Sequence, residues 1–174
     1  MVLSAPHGRS GGILVGINSD TLQVKKVETG DYCVKLQLRN KNDGFEWAFI
    51  PVYGAAQDSH KFEFLSELVR MCEVEELPKL LGGDFNILRK KEEKNNDNFN
   101  PHWPFVFNAI IDNLDLREIA LSGRQFTWAN RREIPTFEKL DRFLLSVEWE
   151  QKFPLVSVHA LTRSGSDQDR KSVV

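Results

Sequence analysis

The 174-residue sequence predicts an α+β chain, with two mostly antiparallel sheets packed face to face and helices outside. Three observations carry this. Period-two apolar runs dominate the chain. Two stretches with helical spacing interrupt them. Between those stretches, the short apolar run Leu80-Leu81 stops at Gly82-Gly83-Asp84-Phe85-Asn86, where the end of a buried strand meets polar side chains.

Taken in order, Gly11 to Ile17 is β-branched and glycine-flanked and predicts a buried strand. Leu22 and Val24 share one face of a second strand. Val34, Leu36 and Leu38 share a face of a third, alternating with Lys35, Gln37 and Arg39, and Gly30-Asp31 supplies the turn between them. Phe45 to Tyr53 is a fourth, with Phe45, Trp47 and Phe49 on one face and Ala48 and Ile50 on the other. Four strands without an intervening helix predict an antiparallel meander. From Asp58 the period changes. Phe62, Leu65, Leu68, Val69 and Cys72 follow helical spacing, Asp58 or Ser59 can cap the start, and Pro78 closes the segment. Lys90 to Asn98 reads as a solvated loop, and Phe105 to Leu114 as a second helix with Pro104 in its first turn. Strands are expected over 123–128, 137–145 and 155–161, with one helical turn over 147–152. His159 falls within the last strand as a core or edge histidine.

Composition narrows the function classes. The chain carries 23 basic and 25 acidic residues, a net charge of −2, which excludes a chain-wide basic grip on nucleic acid and leaves only a local patch. Cys33 and Cys72 lie far apart without metal-ligand spacing and read as reduced thiols. No apolar run reaches membrane-spanning length, so no membrane association is expected. The first ten residues carry no signal or transit pattern, and an intracellular, nuclear or cytoplasmic, non-secreted chain is expected.

The chemistry is concentrated in a few places. Asp84 and Asn86, two apart on an extended segment, would leave the strand end on the same side. A carboxylate can hold a hydrated cation or orient a water, and a carboxamide can donate to an oxyanion. A Gly-Gly-Asp turn is the plain alternative. Tyr53 ends its strand, where its hydroxyl could donate to a phosphate or its ring could simply pack. Asp141 places a carboxylate in an apolar strand, where burial is costly without a partner, and a surface pair with Arg142 is the plain alternative. Ser164-Gly165-Ser166-Asp167-Gln168 is a small polar loop after the last strand.

The succession of Tyr53, Gly82-Gly83-Asp84-Phe85-Asn86, Gly123-Arg124-Gln125-Phe126-Thr127-Trp128, Leu140-Asp141-Arg142-Phe143-Leu144-Leu145-Ser146 and Ser166-Asp167 resembles the endonuclease/exonuclease/phosphatase superfamily, the DNase I-like fold. More narrowly, it resembles the endonuclease domain of plant LINE-type non-LTR retrotransposons, over essentially the whole chain. The resemblance implies a four-layered α/β sandwich, Mg²⁺-dependent hydrolysis of a phosphodiester (Mn²⁺ being the substitute ion) and DNA as substrate. It also implies ancestral fusion to a reverse transcriptase, and it leaves the oligomeric state open. By the same resemblance Asp84 positions or activates the attacking water, and Asn86 and Tyr53 contact the scissile phosphate. Thr127 lies near the site as a substrate-binding residue, Asp167 helps bind metal, and Asp141 orients a catalytic histidine.

The family pattern also has a first strand bearing an asparagine, a segment ending in a metal-binding glutamate, and a further core strand after the last block. The resemblance therefore implies a single incomplete domain over 1–174, lacking the N-terminal strands and the last strand, with 1–10 and 169–174 without order. Glu28 and Glu46 fall in other blocks. Gln168 stands where the family has its histidine, and none of His7, His60, His102 and His159 falls there. Glutamine cannot carry a proton near neutral pH, and loss of a general acid–base group costs ~10²–10⁴ in rate. Impaired catalysis and marginal stability are the expectation. A non-catalytic binding remnant and a gene fragment without selected function are the alternatives.

Overall fold

Alternating apolar residues build a mainly antiparallel sheet, and two helices pack over it. The computed structural model describes residues 2–4, 12–74, 76–130 and 132–161. In chain order the strands are β1 (Val2–Ser4), β2 (Ile13–Val15), β3 (Leu22–Thr29), β4 (Val34–Asn40), β5 (Glu46–Tyr53), β6 (Lys79–Asp84), β7 (Leu116–Glu118), β8 (Leu121–Ser122), β9 (Trp128–Ala129), β10 (Phe137–Glu138), β11 (Asp141–Ser146) and β12 (Val158–His159). The helices are α1 (Lys61–Glu73), α2 (His102–Asn113) and α3 (Val147–Lys152). The α+β class expected from the sequence holds.

The main sheet has six strands in the order β3-β4-β5-β6-β11-β7. Strands β3, β4 and β5 form the expected antiparallel meander. β5 and β6 are parallel, so the chain must cross over between them, and α1 makes that crossing. β11 then returns antiparallel to β6. The predicted first strand does not join the meander, because β2 pairs with β1 as a separate unit. Of the terminal segments expected without order, 2–4 are thus paired as β1, and 5–10 and 169–174 lie outside the described residues.

α1 and α2 cover one face of the sheet. Phe64, Leu65, Leu68, Met71 and Cys72 recur on one stripe of α1 and are buried there with Phe107 and Ile111 of α2, Ile50 and Val52 of β5, and Leu81 and Leu144. Phe85 is fully buried between the helices, its ring 6.4 Å from that of Phe64 and 5.4 Å from that of Phe107. Burying each such ring contributes about 1.5–3 kcal/mol, so the residue after Asp84 is a firm anchor. Val34, Leu36 and Leu38 face the other way and pack with Val15, Ile13, Trp47 and Phe49, which brings the β1–β2 pair onto the opposite face. On α3, Trp149 closes against Trp47 and Phe153 on that side. Cys33 and Cys72 are both buried.

Several elements depart from expectation for identifiable reasons. A 3-10 turn over Asp58–His60 precedes α1, and neither Asp58 nor Ser59 caps it. The Asp58 carboxylate pairs with Lys61 Nζ at 2.7 Å instead. α2 starts earlier than Phe105, because the Asn100 side chain accepts the His102 N–H at 3.0 Å. Residues 123–128 are not one strand. Gly123, at φ +90°, turns the chain out of β8, and pairing resumes only at Trp128. The stretch 137–145 is broken between β10 and β11, and the last strand shrinks to β12, which runs parallel to β8 with an exposed His159. Among the described residues, no helix is long and apolar enough to cross a membrane.

Candidate functional site

Sheet register brings the predicted residues together. Tyr53 is the parallel partner of Asp84, and Asp84 is the antiparallel partner of Asp141. The three therefore form one row across β5, β6 and β11, and register partners project to the same face. Alternation identifies that face. Leu81, Phe85 and Leu144 point toward the helices, so Asp84 and Asp141 point away from them. Tyr53 is 38% exposed at the rim, and Asp84 and Asp141 are half-buried.

The approach of β5 to β6 depends on Gly83. It sits at φ +144°, and a Cβ there would strike the Val52 carbonyl oxygen. Only glycine fits both the angle and the space. Beyond β6 the chain does not stay extended, as the i, i+2 reading of Asp84 and Asn86 assumed. Asn86 adopts φ +51°, a left-handed conformation that asparagine tolerates better than most residues. The two side chains are still neighbours, through a turn. The Asn86 backbone N–H donates to Asp84 Oδ1 at 3.0 Å, and Asn86 Nδ2 donates to the Gly54 carbonyl at 2.8 Å. The Gly54 N–H in turn donates to the Asp84 carbonyl at 2.6 Å. One Nδ2 hydrogen of Asn86 remains after these bonds.

Thr127 joins the group from the segment before β9. Its hydroxyl oxygen accepts the backbone N–H groups of both Leu140 and Asp141, each at 3.0 Å. With its oxygen so occupied, the hydroxyl hydrogen is left as a donor. Tyr53, Asp84, Asn86, Thr127 and Asp141 are thus assembled on one rim. Asp167, Gln168 and the Ser164–Ser166 loop lie outside the described residues.

Arg142 is the residue that the sequence reading missed. The plain alternative, a surface pair of Arg142 with Asp141, does not hold, because Arg142 is 3% exposed. Its guanidinium lies 5.7 Å from the centroid of the Phe107 ring. It donates to Glu93 Oε2 at 3.1 Å, to Glu118 Oε2 at 3.2 Å, and to the carbonyls of Ile87 at 3.0 Å and Lys139 at 2.8 Å. Those carbonyls flank Asn86 and Asp141, so Arg142 ties together the two segments that carry the rim from beneath. The 90–98 loop is accordingly not wholly solvated, since Glu93 is buried against this arginine. Burial pushes the Glu118 carboxyl upward, but Arg142, Lys139 and Arg89 outweigh it and hold the group below the ordinary carboxylate value. The available signal was parity, because Leu140, Arg142 and Leu144 share the core face of one alternating run. A polar cleft of about 470 Å³ adjoins this network, lined by Arg89, Glu93, Asn108, Asp112, Glu118 and Lys139 among others, and none of the five rim residues lines it.

Oxygen donors on the rim are of the kind that suits a hard cation such as Mg²⁺. Among the described residues, however, no group of three or more His, Cys, Asp or Glu side chains could hold a metal ion. The rim by itself supplies two carboxylates, Asp84 and Asp141.

The arrangement matches known folds. The chain is similar to the endonuclease domain of TRAS1, a telomere-specific non-LTR retrotransposon, with a TM-score of 0.60 and 15% identity over 75% of this chain and 58% of that one. A β-hairpin deletion mutant of beta toxin from Staphylococcus aureus matches at 0.52 and 16% identity, over 82% of this chain and 55% of that one. An endonuclease/exonuclease/phosphatase family protein from Bacteroides vulgatus matches at 0.50 and 13%, over 74% and 56%. These likenesses show the fold: the chain has the DNase I-like fold, as the motifs led one to expect. A retrotransposon endonuclease domain is among the structures that share it. The chain spans 58% of that domain's length. No protein-family model and no curated protein matches the sequence.

Proposed function

We propose that this chain is a phosphodiester-binding domain descended from a retrotransposon endonuclease, with DNA as its ligand and with impaired turnover. The observation that supports this best is the row Tyr53–Asp84–Asp141, set beside Asn86 and Thr127. The Tyr53 hydroxyl, the remaining Asn86 amide hydrogen and the Thr127 hydroxyl are three donors suited to phosphate oxygens. Asp84 is an acceptor suited to orienting a water for in-line attack, and Asp141 lies beside it. A divalent cation, Mg²⁺ by family likeness, would neutralise charge on the phosphate, with Asp167 as a further carboxylate outside the described residues. Impairment is supported by Gln168, which occupies the position of the family histidine and cannot exchange a proton near neutral pH. Descent of this kind carries an ancestral link to a reverse transcriptase.

Nicking of supercoiled plasmid by the folded chain with Mg²⁺ tests the reading, alongside DNA binding at low and high salt. Binding that weakens with salt, and weakens further in Asn86→Ala, is expected, because phosphate contacts release counterions. Slow nicking that Asp84→Ala abolishes and Gln168→His accelerates is the expected catalytic result. Fast nicking by the unaltered chain would overturn the impairment, and absence of binding at low salt would overturn DNA as the ligand.

A further inference from the structure

Tyr53 has weak support from its β4 neighbour. The β4–β5 ladder runs from Arg39↔Glu46 to Leu36↔Phe49 and then stops. Pro51 follows and has no N–H to donate. Among the described residues, only an isolated bridge, Cys33↔Val52, and one hydrogen bond, from the Tyr53 N–H to the Tyr32 carbonyl at 2.9 Å, join the strand end to the β3–β4 turn. β6 holds the other edge of the strand end, and on the β4 side the position of Tyr53 is therefore tied to the position of that turn.

Three backbone N–H groups of the turn are held by one side chain of α1. The Glu67 carboxylate of α1 accepts three consecutive backbone N–H groups, those of Asp31 at 2.9 Å, Tyr32 at 2.9 Å and Cys33 at 2.8 Å. Hydrogen bonds to an ionised acceptor are about twice as strong as neutral ones. Gly30 makes room for it, since a Cβ there would meet the Glu67 carboxylate. The Tyr32 ring also packs on Phe64 of the same helix, with centroids 5.6 Å apart.

We propose that Glu67 is a positioning residue for Tyr53: its carboxylate fixes the 30–33 turn, whose Tyr32 carbonyl fixes the end of β5 at the phosphate-binding rim. The link rests on the phosphate reading of Tyr53 only for its functional consequence. Glu67 touches no ligand and acts through the backbone.

Amide hydrogen exchange on the full chain, followed residue by residue, tests the link directly. In Glu67→Ala the Tyr53 amide exchanges roughly five- to tenfold faster, the scale of one lost hydrogen bond. The amides of Ile50 and Leu81 keep their native rates. Gly30→Ala, which evicts the same carboxylate without altering it, gives the same pattern, and Glu67→Gln, with one acceptor oxygen left, gives a smaller change. Unchanged exchange at Tyr53 in both alanine variants overturns the proposal, as does uniform acceleration across the sheet, which marks a merely structural role. A DNA dinucleotide with a single phosphodiester serves as the binding probe. Glu67→Ala and Tyr53→Phe weaken its binding, and the double variant is no weaker than Tyr53→Phe, because both act on one contact. Weakening by Tyr53→Phe but not by Glu67→Ala also overturns the proposal. If Tyr53→Phe binds like the parent while exchange at Tyr53 responds as stated, the positioning link stands and the phosphate reading of Tyr53 falls.

Discussion

Asp84 and Asp141 are direct register partners on adjacent antiparallel strands, two carboxylates placed side by side on one rim of the sheet. Like charges directly opposite each other destabilise a pair of strands by about 0.2–1 kcal/mol. Asp84→Asn relieves that repulsion while keeping a carbonyl oxygen for the Asn86 N–H. Its thermal midpoint should equal or exceed that of the parent while metal-dependent nicking disappears. A fall in the midpoint would show the carboxylate to be structural rather than functional.

Thr127 supports Asp141 through two backbone hydrogen bonds. Thr127→Val keeps the shape and removes the acceptor, leaving two half-buried N–H groups without it. A loss of about 1–3 kcal/mol in denaturant unfolding is expected. Thr127→Ser restores the acceptor and should unfold close to the parent. Equal losses in Val and Ser would place the effect in the methyl group instead.

Gly83→Ala combines a disallowed φ with a collision against the Val52 carbonyl, at the point where β5 and β6 run closest to the site. A loss of at least about 2 kcal/mol is expected. Gly16→Ala, where an added methyl meets nothing within 4 Å, is the matched control and should be near neutral by the same unfolding measurement.

Arg142→Met fills a similar volume and removes the guanidinium. Glu93 and Glu118 then lose their buried partner, a change that costs about 3–5 kcal/mol when one member of such a pair is deleted. The Ile87 and Lys139 carbonyls are released together, so the amides of Asn86 and Asp141 should lose exchange protection along with global stability. Retained protection at both would show that the rim is held without this arginine.

Acid exposes the same network. The Glu118 carboxyl is held below its ordinary value of 4.5 in the folded state. Its contribution to stability is complete above that ordinary value and is lost as pH falls through the lower folded value. Unfolding free energy measured from pH 7 down to pH 3 should therefore drop below about pH 4.5, and Glu118→Gln should flatten that part of the curve. An unchanged slope in the variant would assign the acid sensitivity to other carboxylates.

The sequence showed the strands and the rim more clearly than what supports them. Alternation in Val34-Leu36-Leu38 and in Trp47-Phe49 against Ala48-Ile50 located the meander and its two faces correctly, because burial on a sheet has a strict period of two. The ordered blocks around Tyr53, Asp84, Asn86, Thr127 and Asp141 pointed to residues that the fold brings together, three by register and two by hydrogen bonds. Local patterning could not reveal the partners of long-range pairs. Glu93 sits in a charged loop, Glu67 on a helix flank and Arg142 beside an aspartate, and each takes its meaning from a contact with a distant segment. The short strands β8, β9, β10 and β12 were overextended for a related reason, since apolar residues there satisfy packing without a continuous ladder.

The crossover between β5 and β6 has a bearing on how the protein is made. The β3–β4 and β4–β5 hairpins need only nearby residues, whereas Asp84 joins Tyr53 only after α1 has wrapped across the sheet, and Asp141 arrives much later in the chain. A nascent polypeptide emerging from the ribosome therefore holds half a rim, with β6 offering an unpaired edge, until β11 is released. The row of rim residues and protection from self-association are completed by the same strand, in the same step.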